Sequence, residues 1–383
     1  MDYAATTPMD SGVEKAMHPF YSGIFGNPSS SHLHGQQASR AVFLARQAVA
    51  KALNADYTEI VFTGSATEAN NLAVRGAVEY AAAQGIMKPR VVISAIEHES
   101  VYEACMALKR LHGAEIIEIP VNGEGIIDLT KLEVELNENT ILVSIQMANS
   151  ELGVIQPIKE IAESIKKYKA GAGSAVYPLF HTDAVQAFQY MACNVADLGV
   201  DMMTLSAHKI YGPKGVGLLY VKKGISIEPQ IAGGGQENGM RSGTENVAAI
   251  VGFAKAVEIA EKVRVKEFKR VAVLRDALWK GIKKIVPDAE LNGSVVDRIP
   301  NNLNVYLPSR PAQDVCIELD LMGVAVSPGT ACASRAAEPS RVLKALGFSG
   351  DRPMSSIRFS LGRYTTAVEI RSVLSILKKR FGK

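Results

Sequence analysis

The chain has 383 residues, of which 47% are hydrophobic, 21% charged and 6% aromatic, as in an ordinary globular protein. Its 42 lysines and arginines exceed its 39 aspartates and glutamates by only three, so no direct nucleic-acid partner is expected. The N-terminus shows no basic leader, and no apolar run reaches the length of a membrane span. Four cysteines without a CxxC pair indicate reduced thiols, so we expect a cytoplasmic protein.

Apolar β-branched segments alternate with helical periodicity through most of the chain. In chain order, the predicted strands are EIVFTG, RVVISAI, TILVSIQMA, LFHTDAV, MMTLSAH and GVGLLYV. Helices are predicted between several of them, for example EANNLAVRGAVEYAAAQG and IKEIAESIKKYKAG. Strands buried on both faces and joined by helical crossovers predict a mainly parallel, doubly wound α/β sheet.

From Asn246 the pattern changes to a long helical run through Ile285, followed by short strands and a closing helix. This change predicts a large domain over 16–250 and a smaller α+β domain formed by 1–15 and 251–383. Ligands of open α/β sheets bind beyond the carboxyl ends of the strands. Polar clusters follow five of the predicted strands, which implies one site at that edge.

Lys209 follows an apolar strand and is flanked by turn residues in TLSAHKIYGPKG. A lysine in a constrained, partly desolvated turn loses its proton more easily and forms Schiff bases, which points towards pyridoxal phosphate. A solvated lysine at a strand end is the alternative.

A phosphate site is predicted where Ser65, Ala66 and Thr67 precede a helix, because free N–H groups and the helix dipole favour anions there. The same residues are also a normal helix cap. The glycine-dense loop GGGQENGMRSGTEN, with Arg241 and Thr244, is a second candidate for phosphate contact or a plain surface loop.

Asp183 ends a buried strand, where a carboxylate needs a cationic partner such as a protonated pyridine nitrogen, a salt bridge or a helix cap. His98 is a candidate acid/base or a flat surface over a ring, with a structural role as the alternative. Arg358, in an alternating strand, suits a substrate carboxylate. His181 and His208 are candidate metal ligands, but without HExxH or clustered Cys/His spacing no metal is expected.

Cys332 lies in SPGTACASRAAEPS, a segment of small residues too polar and too rich in turn residues for a buried strand. Cys105, Cys193 and Cys316 lie in apolar or helical stretches and are expected to be packing residues. Cys332 is therefore the candidate for chemistry.

Taken together, these segments resemble the pyridoxal-phosphate-dependent cysteine desulfurases of the NifS/IscS type, in the class V aminotransferase superfamily. The resemblance runs essentially end to end through DYAATTP, GNPSSSHLHG, FTGSATEANNLAV, EHESV, HTDAVQ, SAHKIYGPKGVG, RSGTENV, GTACAS and SSIRFSLGR. It implies the transferase fold of type I, with a seven-stranded sheet in the large domain. It also implies that sulfur is removed from L-cysteine to give L-alanine and a persulfide on Cys332.

The resemblance assigns roles residue by residue. Lys209 would hold the cofactor covalently, Asp183 would pair with its pyridine nitrogen, Gln186 would bond its phenolic oxygen and His98 would lie over its ring. The implied phosphate contacts are Ala66, Thr67, Ser206, His208 and Thr244. Since Thr244 would come from the other subunit, the resemblance implies a homodimer with shared sites. Arg358, with Asn149 or Ser150, would orient the substrate carboxylate and cofactor.

Cys332 would be the nucleophile, with Arg335 nearby in sequence, and would be shared with an Fe–S cluster during transfer. The implied acceptors are an Fe–S scaffold protein or a tRNA-thiolation enzyme. Two features depart from the family. Ser150 stands where the family often has a second asparagine, and the ending LSILKKRFGK lacks the longer tail by which some relatives meet a scaffold.

Three alternatives stay open. A selenocysteine lyase and an aminotransferase are the enzymatic rivals on the same fold. A degenerate binding subunit is disfavoured because Lys209, Asp183, His98 and Cys332 are all present.

Overall fold

A computed structural model of the protein describes residues 1–328 and 339–382. Within these residues the large sheet has seven strands: β1 (Ile60–Thr63), β2 (Arg90–Ser94), β3 (Glu115–Ile119), β4 (Thr140–Ser144), β5 (Leu179–Asp183), β6 (Met202–Ser206) and β7 (Gly217–Val221). Their order across the sheet is β1, β7, β6, β5, β4, β2 and β3. Strands β3, β2, β4, β5 and β6 are parallel, and β7 is antiparallel to both of its neighbours. The prediction of a mainly parallel sheet is confirmed.

The six predicted strands all form, but β3 was missed. Its sequence, EIIEI, places Glu115 and Glu118 at exposed positions of an edge strand that pairs only with β2 among the described residues. An edge strand with one solvated face lacks the continuous apolar run that marked the central strands.

Helices cover both faces of the sheet. Those described are α1 (Ser11–Met17), α2 (Pro19–Ser22), α3 (Leu33–Leu53), α4 (Ala66–Ala83), α5 (Glu99–His112), α6 (Leu129–Glu135), α7 (Ile158–Ala172), α8 (Val195–Leu198), α9 (Val247–Ile285), α10 (Ala312–Leu321), α11 (Arg341–Ala345) and α12 (Ala367–Phe381). Helices α4 and α5 pack on one face, and α3, α7 and the start of α9 pack on the other. Among the described helices, none combines the length and the apolar character that crossing a membrane requires.

A second sheet of four antiparallel strands is described beyond α9. It contains β8 (Glu290–Leu291), β9 (Asn302–Tyr306), β10 (Ser327–Pro328) and β11 (Ser356–Ser360), in the order β10, β11, β9 and β8. Its apolar face packs against α12 and the C-terminal half of α9. This is the smaller α+β unit that the sequence predicts.

Helix α9 spans both hydrophobic cores. It begins after Asn246, whose side chain accepts a hydrogen bond from the N–H of Ala249. Phe253 belongs to the core of the large sheet, whereas Leu278 belongs to the core of the small sheet. The predicted limit between residues 250 and 251 lies inside this helix, and the domain limits stay a prediction.

The carboxyl ends of β1, β2, β4, β5 and β6 open at one edge of the large sheet, and β7 begins there. At this edge Gly217 of β7 lies against the turn that starts α4. A Cβ atom on Gly217 would come within 2.5 Å of the Ser65 carbonyl carbon and 2.7 Å of the Ala66 nitrogen. Only glycine permits this approach of two backbones.

We expect Gly217→Ala to lower the free energy of unfolding by about 1–3 kcal/mol, because the new methyl group must displace backbone rather than a flexible side chain. The matched control is Gly171→Ala in α7, where a Cβ atom meets nothing within 4 Å. That change should raise stability by up to about 1 kcal/mol, since alanine is the better helix former. Denaturant unfolding of the two variants measures both effects. A Gly217→Ala protein as stable as the parent would contradict the close approach.

Candidate active site

A cavity of about 530 Å³ lies at the carboxyl edge of the large sheet. The residues singled out from the sequence that line it are Ser65, Ala66, Thr67, His98, Ser150, Asp183, Gln186, Ser206, His208, Lys209 and Arg358. They come from six separate stretches of the sequence, so only the folded chain brings them together. Asn149 and Thr244 are not among the lining residues, and Cys332 and Arg335 lie outside the described residues.

Lys209 lies in a helical turn directly after β6 and extends its amine into the cavity. Its Nζ donates to the carbonyl oxygens of Ala4 at 2.6 Å and Ala5 at 2.7 Å. Burial and, next, the positive charge of Arg358 lower the pKa of Lys209 to about 8, against opposing effects of Asp2 and Asp183. A substantial fraction of this amine is therefore neutral near physiological pH, as a nucleophilic lysine requires.

Asp183 is the last residue of β5 and is buried. Its Oδ1 accepts from the N–H of Val185 at 2.9 Å, and its Oδ2 accepts from Nδ2 of Asn70 at 2.8 Å. Two neutral donors share this carboxylate, which leaves its negative charge available to a cationic ligand in the cavity.

His98 is the N-cap residue of α5, and its ring is exposed towards the cavity. Its Nδ1 accepts from the N–H of Ser100 at 3.1 Å and lies 2.8 Å from the Ser100 hydroxyl. The enclosing protein limits hydration of the ring and lowers the pKa of His98. His98 is therefore neutral at pH 7 and above.

The start of α4 lines the cavity with Ser65, Ala66 and Thr67. Ser65 caps the helix by accepting from the N–H of Glu68, and the first intrahelical bond runs from Ala69 to the Ser65 carbonyl. The N–H groups of Ala66 and Thr67 precede that bond, so the helix itself leaves them free to donate to an anion. The helix cap predicted for Ser65 is confirmed, and the phosphate contacts of Ala66 and Thr67 stay a prediction.

His208 and Ser206 also line the cavity, and Ser206 pairs with Gly217, the residue that lies against the start of α4. Nδ1 of His208 lies 3.1 Å from the Thr6 hydroxyl. Burial, followed by the charges of Lys209 and Lys214, lowers the pKa of His208 to about 4. The imidazole is thus a neutral hydrogen-bonding group at physiological pH.

Arg358 enters the cavity from β11 of the small sheet and is 2% exposed. Its guanidinium donates to the Ser150 carbonyl at 3.1 Å, to Oδ1 of Asp2 at 2.9 Å and to the Ser327 hydroxyl at 3.2 Å. Its Nε is buried and has no partner among the described residues. This cation is held in place by the chain and is suited to a carboxylate.

The structure separates the two residues of ANSELG. Asn149 is buried and bonded to backbone: its Nδ2 donates to the Ile96 carbonyl, and its Oδ1 accepts from the N–H groups of Glu151 and Leu152. Ser150 lines the cavity. The roles of both towards cofactor and substrate stay predictions, and Asn149 acts in this arrangement through the loop that presents Ser150.

Two groups that bond to site residues were not predicted from the sequence. The carbonyl of Ala4 accepts from Lys209 and, at 3.1 Å, from Nε2 of Gln186. The motif DYAATTP contributed to the resemblance, but carbonyl groups are common to every residue and gave no signal of this contact. Asn70 was missed as well, because it lies in the middle of a helical pattern in EANN. A buried asparagine on an apolar helix face was the available signal.

Thr244 is exposed and lines a separate cavity of about 180 Å³, together with Gly64 and Arg241. Arg241 anchors this loop, since its Nε donates to Oε1 of Glu68 at 2.7 Å. Thr244 is therefore not part of the cavity that contains Lys209 of the same chain.

Cys105 and Cys193 are buried in the cores of the large sheet, as expected of packing residues. Burial raises the pKa of Cys105 strongly and that of Cys193 to about 12. Cys316 is half-buried beside the small-sheet core, and burial raises its pKa to about 12. These three thiols are poor nucleophiles at neutral pH.

The residues present fit pyridoxal phosphate. The start of α4 offers N–H groups for a phosphate. Lys209 offers an amine of lowered pKa for an aldehyde, and Asp183 offers a carboxylate for a pyridinium. Each group matches one functional part of that cofactor, and all line one cavity.

Comparison with known proteins gives a consistent result. The aminotransferase class-V family model matches residues 1–373. A cysteine desulfurase IscS of Dictyoglomus turgidum is 44% identical over 379 residues, which cover 99% of this chain and 93% of that protein. The cysteine desulfurase IscS 1 of Archaeoglobus fulgidus is 41% identical, covering 98% and 95% of the two chains.

Among solved structures, a NifS-like protein superposes with a TM-score of 0.91 at 35% identity, over 99% of this chain and 98% of that one. A structure described as SspA in complex with cysteine superposes with a TM-score of 0.80 at 32% identity, over 95% and 99% of the chains. The predicted fold class is confirmed by these neighbours.

We expect the amine of Lys209, in protein prepared without cofactor, to become acylated with a midpoint near pH 8, because only the neutral amine reacts. Arg358→Gln removes a nearby positive charge, so the midpoint should move upwards, towards the ordinary value of 10.5. Arg358→Lys keeps the charge and should keep the midpoint near that of the parent. Short pulses of acetic anhydride followed by peptide mass spectrometry give the profile. An unchanged midpoint in Arg358→Gln would show that the charge of Arg358 does not act on Lys209.

Proposed function

The chain belongs to the class V aminotransferase family, among the cysteine desulfurases of the IscS/NifS type, and from this premise we propose how its residues remove sulfur from L-cysteine. The products are L-alanine and a persulfide on Cys332. The observation that carries the proposal is one cavity that joins the Lys209 amine, the Asp183 carboxylate and the Arg358 guanidinium. The amine and the carboxylate suit an aldehyde cofactor, and the guanidinium in the same cavity suits the carboxylate of an amino acid.

Pyridoxal phosphate is the cofactor of this family, and when bound it acts as an electron sink that weakens the Cα–H bond of an attached amino acid. Lys209 would hold the cofactor through Nζ, and its amine, whose pKa is lowered to about 8, would be the base for the Cα proton. Asp183, which lines the same cavity, would pair with the pyridine nitrogen and favour its protonated form. His98 lies at the cavity wall as a neutral imidazole.

Arg358 binds the carboxylate of L-cysteine. The guanidinium is held by Asp2, Ser150 and Ser327, so little side-chain entropy is lost when the substrate binds. An incoming carboxylate gains charge-assisted bonds to the same fork of donors. Ser150, whose carbonyl accepts from Arg358, lines the cavity beside the substrate.

Cys332 supplies the nucleophile. Its thiolate attacks the sulfur of the substrate, an S–S bond forms and the C–S bond breaks. The electron pair of the broken bond stays with the three-carbon product and is protonated there, so the product leaves as alanine. The three other thiols are disfavoured for this step because burial raises the pKa of each.

We assign the protein to a homodimer in the cytoplasm, where it transfers sulfur to an acceptor protein such as an Fe–S scaffold or a tRNA-thiolation enzyme. The dimer is supported by Thr244, a candidate phosphate contact that is exposed and lies outside the cavity of its own chain. The reducing compartment is supported by Cys105 and Cys193, two unpaired and buried thiols.

Cys332→Ser should abolish alanine formation from L-cysteine while cofactor binding persists, because a serine hydroxyl cannot accept a sulfane sulfur as a thiolate does. Cys105→Ser and Cys193→Ser are the controls, and they should lower stability more than turnover. Alanine and sulfide assays, with mass spectrometry for one added sulfur on the Cys332 peptide, measure the outcome. Near-normal desulfuration by Cys332→Ser would contradict the proposal. Alanine produced without any persulfide would point to another reaction of the same fold.

Mixing Lys209→Ala chains with Thr244→Ala chains should restore activity, because one site of a mixed dimer then has both residues intact. Each variant alone should be defective, the first in chemistry and the second in cofactor affinity at limiting pyridoxal phosphate. Mixing Lys209→Ala with Asp183→Ala chains is the control, and this combination should restore less if Asp183 and Lys209 act within one chain. An active monomer at micromolar concentration in light scattering would rule out the shared site.

A further inference from the structure

A hydrogen-bonded chain leads from Asp183 to His98 through two residues without an assigned role. Nδ2 of Asn70 donates to Oδ2 of Asp183 at 2.8 Å and to the hydroxyl of Ser100 at 2.8 Å. The same hydroxyl lies 2.8 Å from Nδ1 of His98. Asn70 comes from α4, Ser100 from α5 and Asp183 from β5, and Asn70 is fully buried.

The carboxylate sets the direction of every bond in this chain. Because an ionised carboxylate only accepts, Asn70 must present its NH₂ group to Asp183, and the second hydrogen of that group points to Ser100. The hydroxyl of Ser100 accepts this hydrogen and donates its own to Nδ1 of His98. The opposite amide orientation would place Oδ1 of Asn70 against Oδ2 of Asp183.

The backbone imposes the same requirement on His98. Nδ1 also accepts from the N–H of Ser100 at 3.1 Å, and a backbone N–H only donates. Two donors therefore face Nδ1, which must carry a lone pair. The proton of the neutral ring is left on Nε2, on the side of the imidazole that Ser100 does not use.

We propose that Asn70 and Ser100 are positioning residues that hold His98 as the neutral tautomer with its proton on Nε2, so that His98 enters the reaction as a hydrogen-bond donor from Nε2. The placement of His98 in the reaction rests on the proposed function. The tautomer rests on the hydrogen bonds alone.

The environment of His98 contains charges of both signs. Asp183 and Glu99 act to raise the pKa of His98, whereas Lys209 and Arg341 act to lower it. The largest effect is the limited hydration of the ring in the cavity, which lowers this pKa. Donation from Ser100 adds to this lowering, because a hydrogen bond to the neutral ring is lost when Nδ1 is protonated. Removing the hydroxyl should therefore make His98 easier to protonate.

The test is NMR of protein labelled with ¹⁵N-histidine, with His98→Gln identifying the His98 signals. In the parent, Nδ1 should be unprotonated and Nε2 protonated. Ser100→Ala should raise the pKa of His98 by about 0.4–1 units, the equivalent of one net hydrogen bond. Ser100→Thr keeps a hydroxyl and should stay near the parent value. Ser164→Ala, in α7 on the other face of the large sheet, also removes a hydrogen-bonded hydroxyl; it is the control for the substitution itself and should not change the His98 signals.

Asn70→Ala should also raise the pKa of His98. The double variant should raise it less than the sum of the two single shifts, because both residues act through one chain. If Ser100→Ala does not fold, Ser100→Cys, with a weak donor of similar size, should shift the pKa in the same direction.

A parent protein with its proton on Nδ1, or a Ser100→Ala protein with the parent's tautomer and pKa, would overturn the proposal. A purely structural role would lower the melting temperature and leave the ¹⁵N signals of His98 in place. The readout needs no turnover, so a protein that fails to desulfurate cysteine but shows these shifts would refute the proposed function and leave this inference standing.

Discussion

A buried carboxylate at the end of a central strand constrains the whole site. Asp183 lies where parallel strands end, and there it receives one backbone donor and one side-chain donor. An ionised group in such a place is costly unless its remaining capacity is met by a cation. The cavity in front of Asp183 leaves room for a cationic ligand. The negative charge of Asp183 also orients the neighbouring polar groups. The negative charge at the end of β5 therefore determines how the polar groups of the site are arranged.

The small sheet and the first residues of the chain contribute the remaining groups of the site. Arg358 reaches the cavity from β11 and pairs with Asp2. The N-terminal segment is held to that strand, because the N–H of Ala4 donates to the Ser360 hydroxyl at 2.9 Å. The carbonyl of Ala4 in turn accepts from Lys209. Residues near both ends of the chain thus position the Arg358 guanidinium and the Lys209 amine at one cavity.

Local patterns in the sequence predicted the central strands and the start of α9, because buried parallel strands and capped helices have signals within a few residues. Lys209 and Asp183 were identified for the same reason, since each stands at the end of an apolar run. Edge strand β3 was missed because its glutamates face solvent. Asn70 was missed because its partners, Ser100 and Asp183, are distant in sequence. The path of one loop decides that Asn149 is buried and that Ser150 lines the cavity, and residue types alone do not determine that path.

Helix α9 has a consequence for how the protein unfolds. Its 39 residues extend for about 58 Å, and successive stretches of it are buried in the two cores. Between them, Arg264 donates to the Phe188 carbonyl and Arg270 donates to the carbonyls of Gly362, Arg363 and Thr365. Melting either core would remove the packing of half the helix and weaken the other half, because helical hydrogen bonds form cooperatively. We expect the two sheets to lose their structure together, as a single cooperative unit in spite of their separate hydrophobic cores.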